Sequence, residues 1–211
     1  MTNIKVNNIN YNIPQSWYDI NLKTFLRIRK HEENITKMDQ IDYNLEFISI
    51  LTGIPHDDLL DLDPSVIAEI IAPLTSITSK EVDIIEEPIY TIDGITYVLD
   101  KKTTKMKLGQ FIDLDIINKT GDAWDNGAKI TASFMRKALK KSFRLIRKKK
   151  KYCSDYKITP YDYEELVKDA DVFMEKLPMP YIYTCVVFFC VFKKVSEQHT
   201  KDYLSKIGLM N

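Results

Sequence analysis

The sequence predicts an α+β protein, mostly α-helical, made of two related units, each a β-hairpin followed by about three helices, the second unit enlarged. Three observations point there. The stretch from Ile4 to Ile13 reappears as Tyr90 to Leu99, an offset of 86 residues, and self-similarity at a fixed offset points to a duplicated supersecondary unit, the alternative being one α+β domain with two similar-looking stretches. Both stretches carry a two-residue turn between alternating apolar residues. Apolar residues at helical spacing then follow each of them. The expected division is 1–86 for the first unit and 87–211 for the second, with the junction at Val82 to Pro88.

The hairpins come first in each unit. Asn7-Asn8 lies between Ile4, Val6 and Ile9, Tyr11; Asp93-Gly94 lies between Tyr90, Ile92 and Ile95, Tyr97. Asn and Gly tolerate the positive φ that a type I′ turn requires, and the alternation turns one face to a core. After a linker (Pro14 to Asp19; Lys101 to Lys105), the spacing predicts an amphipathic helix. Leu22, Phe25, Leu26 and Arg29 share one face, as do Leu108, Phe111, Ile112 and Asp115.

A second helix carries Ile41, Leu45, Ile48 and Leu51 and stops at Gly53 and Pro55. Its counterpart carries Ile130, Phe134, Met135, Ala138, Leu139, Phe143 and Ile146. The third helix is predicted to open at Asp63-Pro64 and at Thr159-Pro160, a short polar cap followed by proline at the first helical position. Ile67, Ile70 and Ile71 then match Tyr163, Leu166 and Val167 at an offset of 96, so the second unit has gained about ten residues, the basic run around Arg144 to Lys151.

Charge sums to zero, with 30 Lys+Arg against 30 Asp+Glu. A nucleic-acid coat protein would carry a basic excess. The charge is segregated, however. Asn126 to Ser154 contains no acidic residue, and Arg136, Lys140, Lys141, Arg144, Arg147 and Lys148 are expected on one face of a basic helix, 136–151. Asp57, Asp58 and Asp61 form the opposing acidic patch. Such a pair of surfaces suits docking to a protein partner or to another copy of the chain, head to tail; the basic face alone can also neutralise phosphates or simply stay solvated.

Motifs for catalysis are poor. His31, His56 and His199 fall in no metal-ligand pattern, and His31 is expected at the exposed end of its helix. Cys185 and Cys190 lie within an apolar run, Tyr181 to Phe192, and read as small core residues. That run is about a dozen residues, short of the roughly 20 that a bilayer span needs. Three cysteines without redox or metal spacing, and an opening without a signal-like run, suggest a reducing cytosol. Gly121 to Gly127 reads as a helix–helix loop. No enzyme activity, cofactor, metal or membrane contact is expected.

Ile13-Pro14-Gln15-Ser16-Trp17-Tyr18-Asp19-Ile20-Asn21-Leu22-Lys23-Thr24-Phe25 resembles the opening of small proteins from the tail-morphogenesis gene blocks of tailed bacteriophages, in particular those of Bacteroidetes phages. The likeness continues through Met106 to Leu114, Tyr161 to Tyr163, Phe173-Met174, Leu177-Pro178-Met179 and Phe188-Phe189. The resemblance implies a non-enzymatic protein of the phage tail region, either a tail assembly chaperone or a structural component of the virion. Its partners would be other tail or portal-proximal proteins and further copies of itself. Its location would be the virion, or the host cytoplasm during assembly. The alternative, from the basic segment, is a packaged or channel-lining accessory protein that contacts DNA.

Overall fold

The computed structural model describes residues 2–101, 106–139 and 151–206. They form an α+β, mostly helical fold with two small antiparallel sheets. The first stretch contains β1 (Thr2–Val6), β2 (Ile9–Ile13), α1 (Leu22–Glu32), α2 (Gln40–Thr52), α3 (His56–Leu60) and α4 (Pro64–Thr78). The second contains β3 (Ile89–Ile92), β4 (Ile95–Leu99), α5 (Leu108–Lys119), α6 (Gly127–Phe134), β5 (Met135–Lys137), α7 (Tyr163–Lys176) and α8 (Met179–Lys206).

Both hairpins form where turn chemistry places them. Val6 pairs with Ile9 and Ile92 with Ile95, leaving two-residue turns. Asn7, Asn8, Asp93 and Gly94 all take positive φ, between 47° and 79°. The right-handed twist of the flanking strands demands that conformation, and Asn, Asp and Gly reach it at the least cost. α1 and α5 start 86 residues apart, as their apolar patterns predict. α2 ends at Gly53, whose φ of 75° is the left-handed cap conformation.

Two hydrophobic clusters hold the chain together. One draws on Val6, Ile13 and Ile20 and on the inner faces of α1, α2 and α4, ending at Ile77. The other runs from Ile92 to Phe189, and Leu22 joins it from the first stretch. The buried stripe of α4 (Ile70, Leu74, Ile77) recurs in α7 as Leu166, Ala170 and Phe173, each 96 residues on.

Several local expectations are corrected. The helix expected to run through Met135, Ala138 and Leu139 stops at Phe134, and Met135–Lys137 is a strand paired with Tyr97–Leu99 of β4. Phe134 and Met135 are both buried, and the Phe134 carbonyl accepts from the Asp100 amide. Ladder bonds to β4 outweigh one more helical turn there, and β4 becomes a central strand, buried from Thr96 to Leu99.

α7 opens at Tyr163, not at Thr159-Pro160. The Asp162 carboxylate accepts from the Glu165 amide at 3.0 Å, a true N-cap. Thr159 is already committed, its amide donating to the Lys137 carbonyl. His31 is buried rather than exposed: its ring stacks on Tyr43 at 4.2 Å and its Nε2 lies 2.9 Å from the Tyr43 carbonyl. Cys185 is a core residue, whereas Cys190 is exposed. No helix among the described residues is long and apolar enough to cross a membrane.

Candidate interaction surface

The α1 face predicted from sequence is the seam between the two halves of the chain. Leu22 is fully buried against Gly127 at the start of α6 and Ile182 in α8. A Cβ at residue 127 would stand 3.2 Å from a Leu22 methyl, so glycine permits the close approach. One turn on, Phe25 packs on Trp124 with ring centroids 5.3 Å apart. One turn further, the Arg29 guanidinium donates to Asp122 at 2.9 Å. Asp122 also accepts from the amides of Trp124 and Asp125, at 2.7 and 2.8 Å. The Arg29 hydrogen bond, then these amides, hold its carboxyl down at about 2. At the near end of α1, Lys23 meets Glu175 of α7 at 2.8 Å, and the Met179 amide donates to the Ile20 carbonyl.

α5 behaves differently, and here the expected face is reversed. Gln110, Leu114 and Ile117 are its buried residues. Leu108 is 75% exposed, Phe111 46% and Ile112 48%, and Ile116, at 54%, extends the same strip. Asp115 lies among them, paired with Lys119. Sequence reasoning placed Leu108, Phe111 and Ile112 inward because the spacing is helical. The missed signal was that α5 is apolar around most of its circumference, so two faces compete for one core. A second apolar cluster is exposed at the α1–α2 corner: Ile35 at 54%, Met38 at 38% and Ile41 at 67%.

The predicted acidic patch is on one element. Asp57 and Asp58 lie in the first turn of α3 and Asp61 follows its end. Asn7 at the β1–β2 turn donates to Asp58 at 3.0 Å, which sets the patch beside the hairpin tip. The predicted basic face is not assembled in the same way. Lys140, Lys141, Arg144, Arg147 and Lys148 lie outside the described residues. Arg136 is on β5, not on a helix, and it is half-buried. Its Nη2 donates to Gln110 Oε1 at 2.8 Å, and its guanidinium lies 5.2 Å from the Tyr161 ring centre. Burial pulls its pKa below the ordinary arginine value. Arg136 therefore bridges β5, α5 and the segment before α7 instead of facing a partner.

Its neighbour Lys137 is equally engaged. The ammonium contacts Glu165 and Asp169, and Asp169 also accepts from the Tyr97 hydroxyl at 3.0 Å. Burial works against the charged lysine, but the two carboxylates outweigh it and hold the group up at about 12. This network clamps α7 to the three-stranded sheet.

A cleft of about 490 Å³ lies between the end of β4 and residues 153–158, with Glu87, Lys101 and Cys153 in its wall. Glu87 accepts from the Cys153 amide at 2.5 Å and from Lys101 at 2.7 Å. Burial, with Glu87 alongside, pushes the Cys153 thiol up to about 12, so it is no nucleophile at neutral pH. Among the described residues no group of three His, Cys, Asp or Glu side chains could hold a metal ion. No family model, curated protein or solved structure matches this chain.

Proposed function

We propose that this chain is a non-enzymatic structural or assembly protein of a bacteriophage tail region, acting through protein–protein contacts with other tail or portal-proximal proteins and with its own copies. The observation that carries the contact reading is the exposed strip Leu108, Phe111, Ile112 and Ile116. Contiguous apolar surface rimmed by charge marks an interaction site on a folded domain. The tail assignment is supported by the sequence resemblance over Ile13 to Phe25 and Met106 to Leu114. The test is quantitative mass spectrometry of purified particles, and of assembly intermediates, from a phage that carries the gene. A fixed multiple-copy presence in either is expected; absence from both overturns the reading.

The second reading, a DNA-contacting accessory protein, is favoured by the acid-free stretch from Asn126 to Ser154. Two of its cations, Arg136 and Lys137, are spent on internal contacts. Salt-dependent binding of random-sequence DNA, abolished by Arg144→Glu with Arg147→Glu, would establish this reading and displace the first.

A further inference from the structure

The repeat leaves one contact made inside the chain and its counterpart unmade. At an offset of 86, the α1 residues Leu22, Phe25 and Leu26 correspond to Leu108, Phe111 and Ile112 of α5. The first set is covered by the second unit. The second set is uncovered. The receiving surface shows the same asymmetry. In the second unit α1 rests on the α5–α6 loop and the start of α6, at Asp122, Trp124 and Gly127. The corresponding corner of the first unit is the α1–α2 loop and the start of α2, where Ile35, Met38 and Ile41 are exposed.

We infer that copies of this chain join head to tail, the α5 face of one copy docking on the α1–α2 corner of the next, as α1 docks on the α5–α6 corner within each chain. The repeat itself names a second copy as the occupant, since the same two surfaces already meet in another pairing inside each chain. The counterpart of Arg29 is Asp115, and that of Asp122 is Thr36, beside the exposed Lys37. The internal Arg–Asp pair is therefore not repeated residue for residue, but the joint would bring Asp115 near Lys37, the neighbour of Thr36, a complementary contact. The competing Asp115–Lys119 pair is solvent-exposed, at 2.5 Å within one helix, and such pairs hold little energy.

Continuity with the internal seam also sets the strength. Ile182 of α8, which completes the cover over Leu22, has no counterpart in the first unit. The exposed α5 strip offers roughly 400 Å² of apolar area, about half of what each partner of a standard interface buries. The joint is therefore a small one, and its assembly should depend on protein concentration. Because donor and acceptor surfaces differ, the contact is heterologous: it propagates into a ring or an open filament.

This makes specific the self-association within the proposed function and rests on that part alone. The experiment is sedimentation velocity of the full chain over about a hundredfold range of concentration. The mass should climb past the dimer. Phe111→Glu with Ile112→Glu on α5, or Ile41→Glu at the corner, should each leave a monomer with unchanged circular dichroism. Mixing those two variants should restore one contact and stop at a dimer, the signature of a head-to-tail joint. Should the glutamates disturb folding, Asp115→Lys and Lys37→Asp should each weaken association about tenfold and together restore it. A wild-type monomer at every concentration overturns the inference and points to a different partner or a segment of the same chain on this face. Association that survives both substitutions overturns it as well. Neither result bears on the virion measurement, so the two proposals fail separately.

Discussion

Arg29 in α1 and Asp122 in the α5–α6 loop, 93 residues apart in the chain, meet at 2.9 Å and close the far end of the seam between the two halves of the chain. Asp122 has a second task, because the amides of Trp124 and Asp125 donate to the same carboxylate. Removing either partner therefore has unequal effects. Arg29→Ala deletes a pair whose acid is 47% exposed, so solvent screening limits the loss to about 1 kcal/mol. Asp122→Ala also strips the loop of its acceptor and should cost about 2 kcal/mol. Urea unfolding of the two variants checks the order.

Gly127 is the tightest point of the same seam. Gly127→Val would drive methyl groups toward Leu22 and Ile182, whose side chains already lie 3.2 and 3.3 Å from the Cβ position. We expect a loss of about 1–3 kcal/mol from overpacking. Leu22→Ala, which empties the opposing site, should cost about 2–5 kcal/mol. If the seam is the limiting contact, the pair Gly127→Val with Leu22→Ala should destabilise less than the sum of the two. Thermal or urea denaturation of all three proteins measures this.

Acid should loosen the protein at two identified carboxyls. The Cys153 amide, then Lys101, hold Glu87 down at about 2, against an ordinary 4.5; Asp122 is likewise held at about 2, against 3.8. Both folded-state values are depressed, so their stabilisation is complete above about pH 5 and drains away as pH falls through 4 toward 2. Glu87→Gln should lower stability at neutral pH by about 1–2 kcal/mol. It should also flatten the fall in stability between pH 5 and pH 3. Urea midpoints measured across that range decide the point.

Thiol chemistry should separate three cysteines into two classes. Cys153 and Cys185 are buried, and burial pushes each thiol up to about 12. Cys190 is exposed. With a water-soluble thiol reagent at mildly alkaline pH, Cys190 should react within minutes, on the order of a hundredfold faster than the others. Cys153 and Cys185 should react only on unfolding. Mass spectrometry of labelled peptides assigns the sites.

The clamp on α7 should respond to its buried member most. Asp169 serves Tyr97 and Lys137 together, so Asp169→Ala orphans the buried Tyr97 hydroxyl, leaves Lys137 with Glu165 alone, and should cost about 2 kcal/mol. Tyr97→Phe leaves the lysine contact in place and should cost about 1 kcal/mol. Equilibrium unfolding of both variants tests the ranking.

Much of the architecture was legible in the chain itself, wherever the cause lies within a few residues. Asn7-Asn8 and Asp93-Gly94 declare their turns because those side chains tolerate positive φ at small cost. Gly53 and Pro64 end and begin helices for equally local reasons, a left-handed cap and a fixed φ. The offset of 96 between Ile70 and Leu166 was visible for the same reason: helical spacing repeats without help from the rest of the fold. Packing between distant segments settled the remainder. α5 has apolar residues on both sides, and no rule of spacing says which side the sheet and α6 will claim. Met135 could have prolonged a helix, but β4 offered it a ladder, and Arg136 went with it into the interior beside Tyr161. Burial is a property of pairs of surfaces, so the outward strip on α5 emerged only when every neighbour had taken its place.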